Sequence, residues 1–120
     1  MNKRQTGKTY EGIAAAYLTK KGYNIIENNY HCKIGEIDII ARDTAGAKHA
    51  LVFIEVKYRS SNQYGFPLEA VDYQKQKKII AVSKYYVMEK HISVTTDMRY
   101  DVIGILGNRI EHIVNAFGTM

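Results

Sequence analysis

The first regular alternation of apolar and polar residues, over residues 9–21, has the spacing of a helix. Apolar side chains recur there every three or four positions, at Tyr10, Ile13, Ala14, Tyr17 and Leu18. This period places them on one face of a helix. Glu11 lies at the flank of that face, beside the expected core. Gly22 follows the basic pair Lys20 and Lys21, and glycine is a favoured residue for ending a helix.

A second helix is predicted for residues 73–90. Asp72 is a good N-cap for it, because its side chain can accept a hydrogen bond from a backbone amide of the first turn. The expected inner face consists of four residues: Ile79, Val82, Tyr86 and Val87. Lys75, Lys77 and Lys78 crowd the first turns. Positive charge is unfavourable at a helix N-terminus, which indicates that something besides helix stability selects these lysines.

Five other segments are rich in aliphatic and aromatic residues and are predicted to be strands. They are residues 23–26, 34–42, 51–58, 99–106 and 109–114. Gly46 marks the tip of a hairpin between the second and third segments, and Gly107 with Asn108 makes a tight turn before the last. The predicted order is α-β-β-β-α-β-β. This order predicts an α/β fold with a mixed central sheet flanked by helices.

Length and composition indicate a single domain over residues 1–120. The 120 residues are 46% hydrophobic, which is enough for one core and too little chain for two. Cys32 is the only cysteine, and this excludes an intramolecular disulfide and a multi-cysteine zinc site. No stretch approaches the roughly 20 apolar residues that span a bilayer. No apolar segment follows the basic N-terminus, so we expect no signal peptide and a cytoplasmic location.

The charge balance favours a polyanionic partner. The chain has 17 Lys and Arg residues against 12 Asp and Glu residues, a net charge of +5. Such a surplus suits nucleic acid or an acidic membrane surface. The membrane surface is the weaker alternative, because no basic amphipathic helix with exposed bulky apolar residues is apparent. We therefore expect DNA as the partner and no membrane.

Two charged residues interrupt the most hydrophobic predicted strand, residues 51–58. Side chains of a strand alternate between its two faces, so Glu55 and Lys57 share the face of Phe53. A buried charge without a partner costs several kcal/mol, so this face needs a polar partner. By spacing alone, a solvated Glu-x-Lys ion pair explains the pattern equally well.

The preceding strand supplies such a partner. Folding the hairpin symmetrically about Gly46 and Ala47 places Asp38 opposite Glu55, with their Cβ atoms about 4.5–5.5 Å apart. Two carboxylates at that separation repel each other, and a divalent cation relieves the repulsion. Mg²⁺ prefers oxygen ligands and is usually held by one or two carboxylates with water and substrate phosphates. Lys57 would then stabilise charge at a phosphate. The prediction depends on the register, because a slip of one residue would turn Asp38 to the other face and remove the pair of Asp38 and Glu55.

These residues resemble the signature of a nuclease superfamily. The segments Gly35-Glu-Ile-Asp-Ile-Ile-Ala and Val52-Phe-Ile-Glu-Val-Lys-Tyr-Arg59 are similar to the PD-(D/E)xK motif, with Ile37 in place of the proline. More narrowly, the chain resembles the YraN-like family of small bacterial proteins, which is related to archaeal-type Holliday junction resolvases. The resemblance extends over nearly the whole chain, from the first predicted helix to residues 115–117.

The resemblance implies a restriction-endonuclease-like αβββαβ core and a metal-dependent DNA endonuclease that hydrolyses phosphodiester bonds, selective for branched DNA. By carry-over, Asp38 and Glu55 would bind Mg²⁺ or Mn²⁺, and Lys57 would be the catalytic lysine. Glu11 would be the carboxylate that the first helix contributes in junction resolvases. A homodimer is also implied, because junction resolvases must cut two strands.

Four further residues are candidates for contact with nucleic acid. Arg59 shares the face of Lys57, and Lys75 and Lys78 begin the second helix just beyond the predicted site. Tyr64, in the loop after that site, is a candidate for contact with a base. The alternative for the two lysines is an ordinary solvated helix face, and the pattern does not choose between these interpretations.

Two functions of different classes therefore remain open. One is the metal-dependent nuclease, and the other is a catalytically inactive DNA-binding or accessory module on the same fold. The module needs the basic residues but not the metal. A titration with Mn²⁺ distinguishes the two functions, since a pure binder shows no binding event that is lost when Glu55 is replaced.

Overall fold

Two helices and five strands make up the part of the chain that the structure describes. The computed structural model describes residues 3–59 and 71–118, and the side chains of residues 9–59 and 71–118. The elements in chain order are α1 (Lys3–Lys20), β1 (Tyr23–His31), β2 (Glu36–Asp43), β3 (Leu51–Arg59), α2 (Tyr73–Glu89), β4 (Met98–Leu106) and β5 (Arg109–Phe117). Along these residues no helix is both long and apolar enough to cross a membrane.

The strands form one mixed sheet in the order β1-β2-β3-β4-β5. Neighbouring strands are antiparallel except β3 and β4, which are parallel. A parallel pair needs a crossover connection, and α2 lies between these two strands in the chain. The predicted α/β fold with a mixed, helix-flanked sheet is confirmed. The order α1-β1-β2-β3-α2-β4 is compatible with a restriction-endonuclease-like core.

The hairpin of β2 and β3 has the register that symmetric folding predicts. Ile39 pairs with Ile54, as expected for a hairpin folded about Gly46 and Ala47. At the tip, the backbone amide of Gly46 donates a 3.0 Å hydrogen bond to Asp43 Oδ1. A one-residue slip would exchange the two faces of each strand. The register therefore decides which side chains of β2 meet those of β3.

The sheet has an apolar core on each face, because strand side chains alternate between the faces. On one face Phe53 of β3 is buried in a cluster with Ile79 of α2. On the other face Ile54 is buried in a cluster with Leu18 of α1. Burial of each such side chain contributes about 1.5–3 kcal/mol. β3 lies between two apolar layers, so an ionisable side chain on this strand is drawn into the interior.

The edge strands are longer than their pattern predicts. β1 continues to His31, past the predicted end at residue 26, and β5 continues to Phe117, past residue 114. Both strands lie at an edge of the sheet and pair on one side only. Their exposed polar residues interrupt the alternation of apolar and polar positions from which the strands were predicted. β2 begins at Glu36, two residues later than predicted, because a 2.9 Å hydrogen bond from Cys32 N to Gly35 O closes the preceding turn.

The first helix differs from its prediction in extent and in one core residue. α1 begins at Lys3, ahead of the predicted start at residue 9. Ile13, expected on the inner face, is 39% exposed. Ala14 and Leu18 face the sheet and are fully buried. Because successive residues of a helix are about 100° apart around its axis, Ile13 is turned away from the sheet.

A buried ionic network joins four strands. Asp101 is fully buried and accepts hydrogen bonds from Arg99 at 2.9 and 3.0 Å. His112 Nε2 lies 2.7 Å from Asp101 Oδ2. Arg99 also donates to Asp43 at 3.1 Å and to the hydroxyl of Tyr23 at 2.6 Å. The network ties both edge strands to the centre of the sheet.

Candidate metal and catalytic site

β3 carries Glu55 and Lys57 on the sheet face that α2 covers, the face of Phe53. Glu55 is 6% exposed, whereas the side chain of Lys57 is 27% exposed. The carboxyl group therefore lies inside the protein and the ammonium group at the margin of the same face.

Asp38 lies at a break in the side-chain alternation of β2. Ile39 packs in the cluster on the α1 face, and Ile37 packs in the cluster on the α2 face, although strict alternation would put both on one face. The backbone pairing with β3 ends at Ile39 and Ile54. Beyond it, Asp38 Oδ2 accepts a 2.8 Å hydrogen bond from the backbone amide of Val56. The Asp38 side chain is thereby held against β3.

The carboxyl groups of Asp38 and Glu55 form a hydrogen-bonded pair that holds a proton. Burial raises the pKa of Glu55, the charge of Asp38 raises it further, and the result is about 8. Burial raises the pKa of Asp38 too, although hydrogen bonds from the Val56 amide and from Glu55 oppose this shift. At neutral pH the proton therefore resides on Glu55, which donates it to Asp38. A cation that enters must displace this proton.

Two ammonium groups approach the same oxygen of Glu55. Lys57 Nζ is 3.8 Å from Glu55 Oε1, and Lys75 Nζ, from α2, is 3.9 Å from it. Both distances exceed the roughly 2.7–2.9 Å of a charge-assisted hydrogen bond, so neither amine is tightly held. Asp72 caps α2 by accepting a 2.8 Å hydrogen bond from the Lys75 amide, which fixes the first turn. Both amines are thus available to a second anion.

α1 brings Glu11 close enough for its charge to interact with Asp38. Burial raises the pKa of Glu11, and the charges of Asp38 and Glu36 raise it further. A hydrogen bond with Asn29 opposes the shift. Asn29 has a φ of 53°, a left-handed conformation that asparagine tolerates better than most residues. Glu11 Oε1 is buried and has no hydrogen-bond partner among the described residues.

The chemistry of these donors fits a hard dication. Asp38 and Glu55 offer carboxylate oxygens, the ligands that Mg²⁺ prefers, and the buried Oε1 of Glu11 is a further oxygen without a partner. Within residues 9–59 and 71–118, no three His, Cys, Asp or Glu side chains converge on one point. The protein would therefore supply two ligands and leave the other positions to water and substrate, which is usual for Mg²⁺.

The remaining predicted residues lie around the pair or outside the described chain. Arg59 follows Lys57 on the same face of β3 and donates a 3.2 Å hydrogen bond to the carbonyl of Tyr58. Lys75 and Lys78 line a groove beside the site. Tyr64 lies outside the residues that the structure describes.

Two features of the site were absent from the sequence-based prediction. Lys75 was expected to contact phosphate, and the structure adds its ion pair with Glu55. Its signal was the cluster of lysines at a helix start, where their charge is unfavourable. The contact of Asn29 with Glu11 was not predicted, because it depends on how α1 packs against β1.

Comparison with known proteins finds relatives along most of the chain. The model of the uncharacterised protein family UPF0102 matches residues 10–105. A UPF0102 protein of Lachnoclostridium phytofermentans is 45% identical over 117 residues, 98% of this chain and 96% of the relative. One of Clostridioides difficile is 44% identical over 119 residues, 98% of this chain and 100% of the relative. One of Caldanaerobacter subterraneus is 43% identical over 124 residues, 98% of each chain.

Proposed function

This chain belongs to the UPF0102 family, and from the site that its fold builds we propose that it is a metal-dependent endonuclease hydrolysing phosphodiester bonds in DNA. The observation that carries the proposal is the placement of two carboxyl groups on neighbouring strands: Glu55 is 6% exposed beside two lysines, and Asp38 is held against β3 by the Val56 amide. Two carboxyl groups that share a buried site disfavour each other's ionisation, and this costs stability that a bound cation would recover. A binding role therefore explains the pair better than a structural role does.

Asp38 and Glu55 would hold Mg²⁺ or Mn²⁺ by one or more carboxylate oxygens. When bound, the dication lowers the pKa of the attacking water and offsets charge on the phosphodiester. Lys57 donates a hydrogen bond to a phosphate oxygen and stabilises the charge that develops there. Glu11 accepts a hydrogen bond from water at the site through its unpartnered Oε1. Water oxygen bonds to phosphorus, the bond to one ester oxygen breaks, and that oxygen takes up a proton.

Basic residues near the pair support DNA as the substrate. Lys75 and Lys78 lie beside the site, and Arg59 follows Lys57 on β3. Tyr64 is retained as a candidate for contact with a base. The likeness to junction resolvases extends the proposal to branched DNA and to a homodimer. Light scattering after size exclusion measures the oligomeric state, and a mass of one chain would remove the dimer from the proposal.

The experiment that tests the activity is a cleavage panel. Linear, nicked, flapped and four-way DNA are incubated with the protein and Mg²⁺ or Mn²⁺, and products are resolved on denaturing gels. We expect cleavage that needs the metal and is lost in Glu55→Gln. The matched control is Asp97→Asn, which removes an exposed acid just before β4 and should cut as the parent does. Equal cutting by Glu55→Gln would contradict the proposal and point to a contaminating nuclease.

A second candidate function is a DNA-binding module without catalysis. Lys57 and Lys75 lie 3.8 and 3.9 Å from Glu55, and this arrangement offsets the negative charge of the Asp38 and Glu55 pair without a metal. Calorimetric titration with Mn²⁺ distinguishes the two functions. The nuclease predicts a binding event that disappears in Glu55→Gln, whereas the module predicts unchanged DNA binding and no such event.

A further inference from the structure

A groove continues from the candidate site between the β1–β2 connection and α2. Lys75 and Lys78 form one wall, and His31 and Glu36 stand on the other. We infer that this groove binds an unpaired DNA strand next to the phosphodiester that reacts. The inference rests on the proposed function, since it names the form of substrate that reaches the site.

The groove and the buried carboxyl pair share Lys75. Lys75 lines the groove and also lies 3.9 Å from Glu55 Oε1. Lys78 is three residues further along α2, and side chains three apart on a helix are neighbours, with Cβ atoms about 5–6 Å apart. The two lysines therefore line the same wall of the groove, and the ammonium group of Lys75 is the one next to Glu55. Two cations along one wall suit the phosphates of a single backbone.

Gly35 allows the Lys78 side chain to lie in the groove. A Cβ at Gly35 would stand 3.2 Å from Lys78 Cδ and 3.3 Å from Lys78 Cγ. The aliphatic stem of Lys78 thus passes directly over the backbone of the β1–β2 connection. This close approach restricts the stem of Lys78, although the residue is exposed.

The rest of the groove suits a base rather than a second strand. Cys32 is half-buried and contributes apolar surface, and His31 offers an exposed imidazole ring. Proteins that bind single strands combine a cationic wall with rings and apolar surface on which bases stack. The volume is about 340 Å³, near the lower end of small-ligand pockets, a size that suits one base better than a base pair.

The opposite wall carries one negative charge. Glu36 Oε2 lies 3.3 Å from His31 Nδ1, and both side chains are exposed. The carboxylate repels a nearby phosphate. Removal of this charge should therefore strengthen binding, while removal of the charge of Lys78 weakens it. The inference thus predicts changes of opposite sign from the two walls.

The test measures binding of a fluorescent single-stranded oligodeoxynucleotide by anisotropy, in EDTA so that no hydrolysis occurs. Lys78→Gln should raise Kd about three- to tenfold and reduce the slope of log K against log salt by about 0.7, the value for one lost phosphate contact. Glu36→Gln should lower Kd. The parent should bind the single strand more tightly than the matching duplex.

The matched control is Lys77→Gln. Lys77 is on the same helix, but its ammonium lies 5.4 Å from the Tyr73 ring centre and its side chain lines another face with Lys84. Lys77→Gln has the same change of net charge and should shift Kd much less than Lys78→Gln. Thermal melting of each variant confirms that it is folded.

Three results would overturn the inference: equal weakening by Lys77→Gln and Lys78→Gln, no gain from Glu36→Gln, or tighter binding of the duplex. The proposed nuclease fails by a different result, namely the absence of metal-dependent cleavage in the panel. Strand binding that depends on Lys78 without cleavage would support the groove and reject the nuclease.

Discussion

The backbone amide of Val56 donates a 2.8 Å hydrogen bond to Asp38 Oδ2. The acceptor is thus a side chain of β2, whereas elsewhere in the hairpin the acceptors are backbone carbonyls. One oxygen of Asp38 is fixed by this bond and the other is left for Glu55 or a ligand. The bond couples the position of a candidate metal ligand to the β2–β3 pairing. Mutation of Asp38 can therefore separate a structural role from a chemical one.

Asp38→Asn should abolish cleavage and leave the fold intact. The amide oxygen of asparagine can still accept from Val56, but the negative charge is lost, and we expect at least about a hundredfold slower cleavage. Asp38→Leu should also destabilise the protein by about 1–3 kcal/mol, because the Val56 amide loses its acceptor. Cleavage rates and urea unfolding measure the two effects. Full activity of Asp38→Asn would show that this charge is not needed.

Glu55→Gln should stabilise the protein without metal, increasingly as pH rises. The folded-state pKa of Glu55 is about 8 against an ordinary 4.5, so between these values the folded chain keeps a proton that the unfolded chain has lost. Parent stability therefore falls with rising pH across this window. The variant lacks the titration, and at pH 8 its free energy of unfolding should exceed that of the parent by about 1–3 kcal/mol. Urea unfolding in EDTA at pH 5 and pH 8 measures this, and an equal difference at both would contradict it.

Metal binding should release a proton. Below about pH 8 the proton on Glu55 must leave before both carboxylates bind a cation, so apparent affinity should rise about tenfold per pH unit and level off above that value. Titration with Mn²⁺ in two buffers of different ionisation enthalpy gives the number of protons released. Asp97→Asn serves as the control and should release the same number. Binding that is independent of pH would rule out a shared proton at the metal site.

Lys57→Met should slow cleavage and leave metal binding in place. Its ammonium is 3.8 Å from Glu55 and stands at the margin where a phosphate would lie, so its loss should lower kcat by about a hundredfold or more. Loss of one nearby cation should raise the pKa of Glu55 further and shift the proton release to higher pH. Single-turnover cleavage and the Mn²⁺ titration report these changes. Unchanged kcat would assign the role to Lys75 instead.

Asp101→Asn should destabilise the fold without touching the candidate site. Burial raises the pKa of Asp101, but hydrogen bonds from His112, Arg99 and the Asn115 amide outweigh it, and the pKa is lowered overall. The stabilisation is therefore present above the ordinary value of 3.8 and is lost as pH falls through the folded-state pKa. Leaving Arg99 without this partner should cost about 3 kcal/mol at pH 7. Urea unfolding measures the loss, and metal affinity per folded molecule should not change.

Much of the candidate site could be predicted from the local sequence pattern. The two-residue period of β2 and β3, together with a glycine at the hairpin tip, predicted the register of the Ile39 and Ile54 pair, and Asp38 contacts β3 just beyond that pair. Lys57 followed, because it is two residues from Glu55 on the same strand. The ion pair of Lys75 was not predictable in this way, since it depends on where α2 lies against the sheet. The Asp101 network was equally hidden, because its members come from four strands.

The sequence by itself determined the elements, the α/β class, the hairpin register and the presence of two acids and a lysine among aliphatic residues. Periodicity and turn residues act over a few neighbours, and these features depend on nothing further. Only the tertiary structure decided that Glu55 keeps a proton near neutral pH, that Lys75 shares its oxygen with Lys57, and that a groove lies beside them. Burial and charge proximity arise when the helices pack on the sheet, and they depend on distances that no local pattern specifies.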